Sequence, residues 1–98
     1  MRAQVSFPAD ELRRICSRFH VQRLAIFGSA ITERFGPESD VDVLVEFEPG
    51  KTPGLAFVAL QEHLARLIHR EVDLHTYRSL SPYFRDEVIK EAEVCYEP

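Results

Sequence analysis

The stretch FGSAITERFGPESDVDVLVEF, residues 27–47, decides the fold. Its second half alternates strictly: Val41, Val43, Val45 and Phe47 fall on one side, Asp40, Asp42, Leu44 and Glu46 on the other. That is the period of a strand with one buried face. Its first half ends an apolar run on Gly28-Ser29, where a buried strand over residues 23–27 gives way to a short helix in SAITERF that stops at the Gly36-Pro37 breaker. Two like charges on a core-forming strand raise one another's pKa and need a reason to be there.

The flanking sequence supplies the rest of a fold. Upstream, PADELRRICSRFH carries Leu12, Ile15, Cys16 and Phe19 at helical spacing, with Pro8 and Asp10 as start signals and Arg13, Arg14 and Arg18 on a solvent face. Downstream, EPGKTPG is a loop, and LAFVALQEHLARLIHR is a helix with Phe57, Leu60, Leu64, Leu67 and Ile68 on its apolar side. EVDLHT alternates again, Val72 and Leu74 opposed to Glu71, Asp73 and His75. SPYFRDEVIKEAE reads as a helix capped by Ser81 with Pro82 at its first position and Phe84, Val88 and Ala92 packed on the core, and VCYE as a short edge strand. This order predicts one α/β (α+β) domain over residues 1–98, a small mixed sheet with helices packed mainly on one face. The carboxylates then line the other face, open to water or ions.

Composition narrows the function classes. The chain has 98 residues, 45% of them hydrophobic and 29% charged, which suits a small soluble globular domain, monomeric or in a small homo- or hetero-oligomer. Twelve basic against sixteen acidic residues give a net charge of −4, so direct nucleic-acid binding is not expected. Cys16 and Cys95 have no metal-like spacing and read as ordinary buried thiols. The start MRAQVSFPADELRR has no apolar signal core, and no run approaches the roughly 18 residues of a membrane span. A cytoplasmic protein without membrane partners is expected.

Asp40 and Asp42, two residues apart on a strand, leave the same face with Cα atoms about 6.5 Å apart. A divalent cation removes the cost of their repulsion, and hard oxygen ligands favour magnesium. Asp73, on a strand with the same alternation, is the leading third ligand; three carboxylates can hold two ions at the roughly 3.5–4 Å spacing used for displacement at phosphorus. Gly28 and Ser29 stand where backbone N–H groups and a helix start favour an anion. A surface strand or a plain turn would explain either part alone. Together they offer facing cation and anion sites, which suit a nucleoside triphosphate with magnesium. The histidines are scattered and read as surface or helix-end residues, although His75 shares a strand face with Asp73 and could touch it.

At this point the chain resembles a known family. The pattern G-S-x10-D-V-D after an apolar strand is similar to the signature of the polymerase-β-type nucleotidyltransferases, and the size and the tail VDLHTYRSLSPYFRDEVIKEAEVCYE resemble their minimal nucleotidyltransferase (MNT) branch. The resemblance implies the nucleotidyltransferase fold and transfer of a nucleoside monophosphate, with ATP as donor, to an acceptor hydroxyl with release of pyrophosphate. It implies that Asp40 and Asp42 bind both Mg2+ ions, that Asp73 binds the catalytic one and helps to activate the acceptor, and that Gly28 and Ser29 hold the β- and γ-phosphates. Many MNT proteins are similar to antitoxins of an all-helical HEPN ribonuclease toxin, some of which place AMP on a tyrosine of that partner. A domain too small to grip its own acceptor fits this role. One departure stands out: the family often has an R-A-R-G stretch after Gly-Ser, whereas this chain has AITE at residues 30–33 and its nearest arginine at Arg34. The rival reading is a catalytically weak MNT-fold module that neutralises a toxin by stoichiometric masking; transfer to a small molecule is a third.

Overall fold

The alternation of residues 41–47 is realised as an inner strand of a four-stranded sheet. A computed structural model describes residues 5–28, 40–51 and 53–97; the expected helix in SAITERF, with Ser29 and Arg34, lies outside the described residues. The elements are α1 (Ala9–Arg18), β1 (Val21–Phe27), β2 (Val41–Phe47), α2 (Ala56–Ile68), β3 (Val72–Thr76), a 3-10 turn at Tyr77–Ser79, α3 (Arg85–Glu91) and β4 (Glu93–Tyr96). The sheet runs β3-β2-β1-β4. β1 is antiparallel to β2 and to β4, and β2 is parallel to β3. A parallel neighbour requires a crossover, and α2 supplies it.

The valine face of β2 makes the main core. Val41, Val43 and Val45 are fully buried with Leu24 and Ile26 of β1, Val72 and Leu74 of β3, Leu12 and Cys16 of α1, and Leu60 and Leu64 of α2. Each such side chain stabilises the fold by about 1.5–3 kcal/mol on leaving water. The opposite face is not uniformly wet. Phe27, Leu44 and Leu80 are buried there, and Val88 of α3 and Ala92 just after it pack on them. Two of the described helices thus cover the valine face and α3 covers part of the other.

Three details differ from the sequence reading. β1 begins at Val21 rather than residue 23, because Val21 pairs with Phe47 across a register irregularity before Arg23. Pro82 does not open a helix: Ser81 accepts hydrogen bonds from Tyr83 N (3.4 Å, to Oγ) and Phe84 N (3.2 Å, to the carbonyl), closing a separate turn, and α3 starts at Arg85. Arg85 reaches back to donate to Leu80 O at 2.8 Å, tying that turn to the helix. Phe84, placed ahead of α3, is 49% exposed instead of buried in the core.

The helix ends use histidine. His20 follows α1 with φ 60° and His69 caps α2 with φ 55°, both in the left-handed region. Both thiols are free, Cys16 buried and Cys95 only partly so; burial pushes Cys16 and Cys95 up to about 12, and Cys95 Sγ donates to Leu24 O at 3.4 Å.

Candidate active site

Strand direction brings the acidic residues together. β1 runs antiparallel to β2, so its end meets the start of β2, and Phe27 pairs with Asp42. β3 runs parallel to β2, so its start lies there too, and Asp42 pairs with Asp73. Val41 N donates to Glu71 O at 2.9 Å, which fixes this register ahead of both aspartates. Because side chains alternate with period two, a slip of one residue would have turned Asp73 into the core.

Gly28, directly after β1, completes this end of the sheet. Its φ is +72°, and a Cβ built there would collide with Asp42 Oδ2 and lie 3.1 Å from Asp42 Cγ. The backbone therefore passes close against the carboxylate, an approach that only glycine permits.

His75, two residues beyond Asp73 on the same strand face, reaches both acids. Its Nε2 lies 3.5 Å from Asp42 Oδ1 and 3.7 Å from Asp73 Oδ2. Its ring meets Phe27 edge-on, with centroids 5.4 Å apart. Nε2 is buried and has no hydrogen-bond partner among the described residues. Asp42 and His75 are each 28% exposed and Asp73 is 59% exposed. Burial raises the Asp42 carboxyl above its ordinary range; His75 pulls it back, while Asp73 and, more weakly, Asp40 push it further up.

Of the residues expected from sequence, the structure therefore joins Asp42, Asp73 and Gly28. Asp40 precedes β2 rather than lying within it and is exposed. Among the described residues the group able to hold a metal is Asp42, Asp73 and His75, with one donor atom from each within 4.8 Å of the others. Ser29 lies outside the described residues. The contact of His75 with Asp42 is the feature the sequence reading did not contain. Its signal was the D-x-H spacing of residues 73 and 75, the same two-residue step as Asp40 and Asp42.

Two carboxylates on one sheet face, with an imidazole nitrogen turned toward both of them, fit a divalent cation. The glycine beside them lets the end of β1 lie directly against the Asp42 carboxylate. Such a site can neutralise and orient a phosphoryl group.

Comparison with known proteins agrees with this chemistry. The nucleotidyltransferase domain model matches residues 9–95. A Methanocaldococcus jannaschii protein, provisionally named a protein adenylyltransferase, is 40% identical over 87 residues, covering 85% of this chain and 92% of that protein. The protein adenylyltransferase MntA of Thermococcus cleftensis is 35% identical over 80 residues, 81% of this chain and 79% of its own. A chain from the structure of a tri-AMPylated Shewanella oneidensis HEPN toxin in complex with MNT antitoxin shares the fold, with a TM-score of 0.63 and 20% identity over 92% of this chain and 70% of that one. With a match that runs from the start of α1 into β4 and takes in Gly28, Asp42 and Asp73, the chain belongs to the nucleotidyltransferase domain family.

Proposed function

We propose that this chain, acting as one minimal domain, is a Mg2+-dependent protein adenylyltransferase. It moves AMP from ATP to a tyrosine hydroxyl of an all-helical HEPN ribonuclease toxin and thereby serves as its antitoxin. The observation that carries the proposal is the pairing of Asp42 with Asp73 across β2 and β3, with Gly28 closed onto Asp42. Membership of the nucleotidyltransferase family and the names of the two relatives support the reaction class. The HEPN complex of the fold neighbour supports the class of partner.

In this reading Gly28 and Ser29 bind the β- and γ-phosphates, and Asp40, Asp42 and Asp73 hold two Mg2+ ions. When bound, the ions supply positive charge to the α-phosphate and the departing pyrophosphate. Asp73, the most open of the paired acids, faces the acceptor and takes the proton of its hydroxyl. The hydroxyl oxygen bonds to the α-phosphorus, the bond from that phosphorus to the bridging oxygen breaks, and pyrophosphate leaves.

The test is incubation with α-labelled ATP, Mg2+ and the product of the neighbouring gene. Label is expected on a tyrosine of that partner and is lost with Asp42→Ala. If no label transfers, and Asp42→Ala neutralises the partner as well as the parent chain, masking is the mode of action.

A further inference from the structure

We propose that His75 is itself a metal ligand, its Nε2 completing with one oxygen each of Asp42 and Asp73 a mixed nitrogen-oxygen site that takes Mn2+ in preference to Mg2+. The inference rests on the reading that Asp42 and Asp73 hold a divalent cation; it adds a donor and a higher affinity for Mn2+ to a site that Mg2+, where it is in large excess, still fills.

The spacing of His75 Nε2 from each acid suits one shared ion, and all three donors lie within 4.8 Å of one another. Metal–donor bonds of about 2.1 Å at roughly right angles set donor atoms about 3 Å apart, and wider angles bring this toward 4 Å. The observed separations from Nε2, 3.5 Å to Asp42 and 3.7 Å to Asp73, lie in that interval. They are too long for good hydrogen bonds, in keeping with a buried Nε2 that has no hydrogen-bond partner among the described residues. The ring is held in this orientation by its edge contact with Phe27 and by its place beside buried Leu44 in the β2–β3 register.

The donor set then selects the ion. Mg2+ keeps to oxygen donors and sheds water reluctantly, so an imidazole in its shell is a poor exchange. Mn2+ accepts carboxylate oxygen as readily as Mg2+ does, and as a transition-metal ion it tolerates an imidazole nitrogen better. A site with one nitrogen and two carboxylates therefore tilts toward Mn2+. The competing account makes His75 a protonated counter-ion that balances the two acids and leaves when a cation enters. The two accounts predict opposite responses to removal of His75.

Mn2+ binding to the full chain, followed by the loss of the free-ion electron paramagnetic resonance signal, tests this directly. Pulsed measurements on the bound ion then read any coupling to histidine nitrogen. The expected result is one 14N coupling that changes character when histidine is labelled with 15N, and Mn2+ displaced only by a large excess of Mg2+. His75→Gln should lose the coupling, bind Mn2+ at least about 10-fold more weakly, since even an outer-shell partner of a ligand is worth that much, and discriminate less between the ions. Bound Mn2+ without nitrogen coupling in the unsubstituted chain overturns the role of His75 while leaving the aspartate site intact, and this needs no variant to fold. Equal or tighter Mn2+ binding by His75→Gln, with its circular dichroism unchanged, also overturns it, in favour of the counter-ion. Absence of Mn2+ binding from both the unsubstituted chain and Asp42→Asn overturns the underlying cation reading as well.

Discussion

The carboxylate of Asp42 occupies the space in which a side chain at residue 28 would have to begin. Backbone conformation and site chemistry are thereby coupled at one point, since φ of +72° and the close approach of Asp42 both demand glycine. Gly50 has a similar φ of +77°, but a Cβ added there would meet nothing within 4 Å among the described residues, so it serves as an internal control.

Gly50→Ala should cost about 1 kcal/mol from backbone strain alone. Gly28→Ala should cost roughly 1–3 kcal/mol more, because Asp42 must move, and should weaken cation binding while Gly50→Ala does not. Urea unfolding of both variants, with Mn2+ titrations, checks this. Equal costs for the two substitutions would show that Asp42 gives way freely.

Asp42 titrates against the fold. Its carboxyl is raised above its ordinary value of 3.8, chiefly by burial. A group whose folded pKa is raised contributes stability below its unfolded pKa and loses it as pH rises through the folded value. At neutral pH and without divalent cations the ionised Asp42 therefore weakens the fold, and Asp42→Asn should melt at a higher temperature than the parent. The gap should close as pH falls below about 4. Adding Mn2+ or Mg2+ should raise the melting temperature of the parent, by about 2.7 kcal/mol of stability at a concentration 100 times the dissociation constant, and leave the variant unmoved. A variant that melts lower at neutral pH in chelator would refute the sign.

His69 ends α2 in a left-handed conformation with φ 55° and ψ 42°, its backbone N–H donating to Ala65 O. That is the position at which helices favour glycine. His69→Gly should stabilise the chain by about 0.5–1 kcal/mol, read by urea unfolding. A loss of stability would mean that the imidazole makes a contact worth more than the strain it carries.

Gln61 of α2 accepts a hydrogen bond from Leu74 N at 3.0 Å, supplying a partner for the backbone of edge strand β3. Leu74 stands between Asp73 and His75, so this bond helps to set the site. Gln61→Ala should cost about 1–2 kcal/mol by leaving the Leu74 N–H short of a partner. Hydrogen exchange at Leu74 should accelerate, and cation affinity should fall although Gln61 touches neither acid. Unchanged exchange at Leu74 would show that water replaces the amide.

How far the sequence could be read follows from the range of the interactions involved. The period of two in residues 41–47 and 72–75 needed only neighbouring residues, and it separated the valine face from Asp42 and Asp73 correctly. The meeting of Asp42 with Asp73 was legible because two alternating strands sharing one core must present their acids to the same side. The contact of His75 with Asp42 was not legible, since it depends on parallel pairing in one register, which is set at Val41 and Glu71 rather than by residue 75. Asp40 looked like a strand residue by spacing, but β2 begins one residue later. The start of α3 was misplaced because Ser81 and Pro82 are equally good at closing a turn, and the return hydrogen bond of Arg85 that follows is invisible to spacing rules. Leu44 gave a hint of the second apolar cluster, as the one apolar residue on the acidic side of β2, but its cover by Leu80 and Val88 is a tertiary matter.

The pairing of β4 with β1 has a consequence for how the chain acquires its structure. Leu24 lies opposite Tyr96, Cys95 bonds to Leu24 O, and Arg23 pairs with Glu97 at 3.2 Å, all across more than two thirds of the sequence. Contacts of such long loop length form late and slow the folding of small domains. On a ribosome, the outer edge of β1 stays without its partner strand until residues 93–96 have emerged, so a nascent chain can hold the acid-bearing strands β2 and β3 while its sheet is still incomplete. Any partner that recognises the finished sheet must wait until β4 has paired with β1.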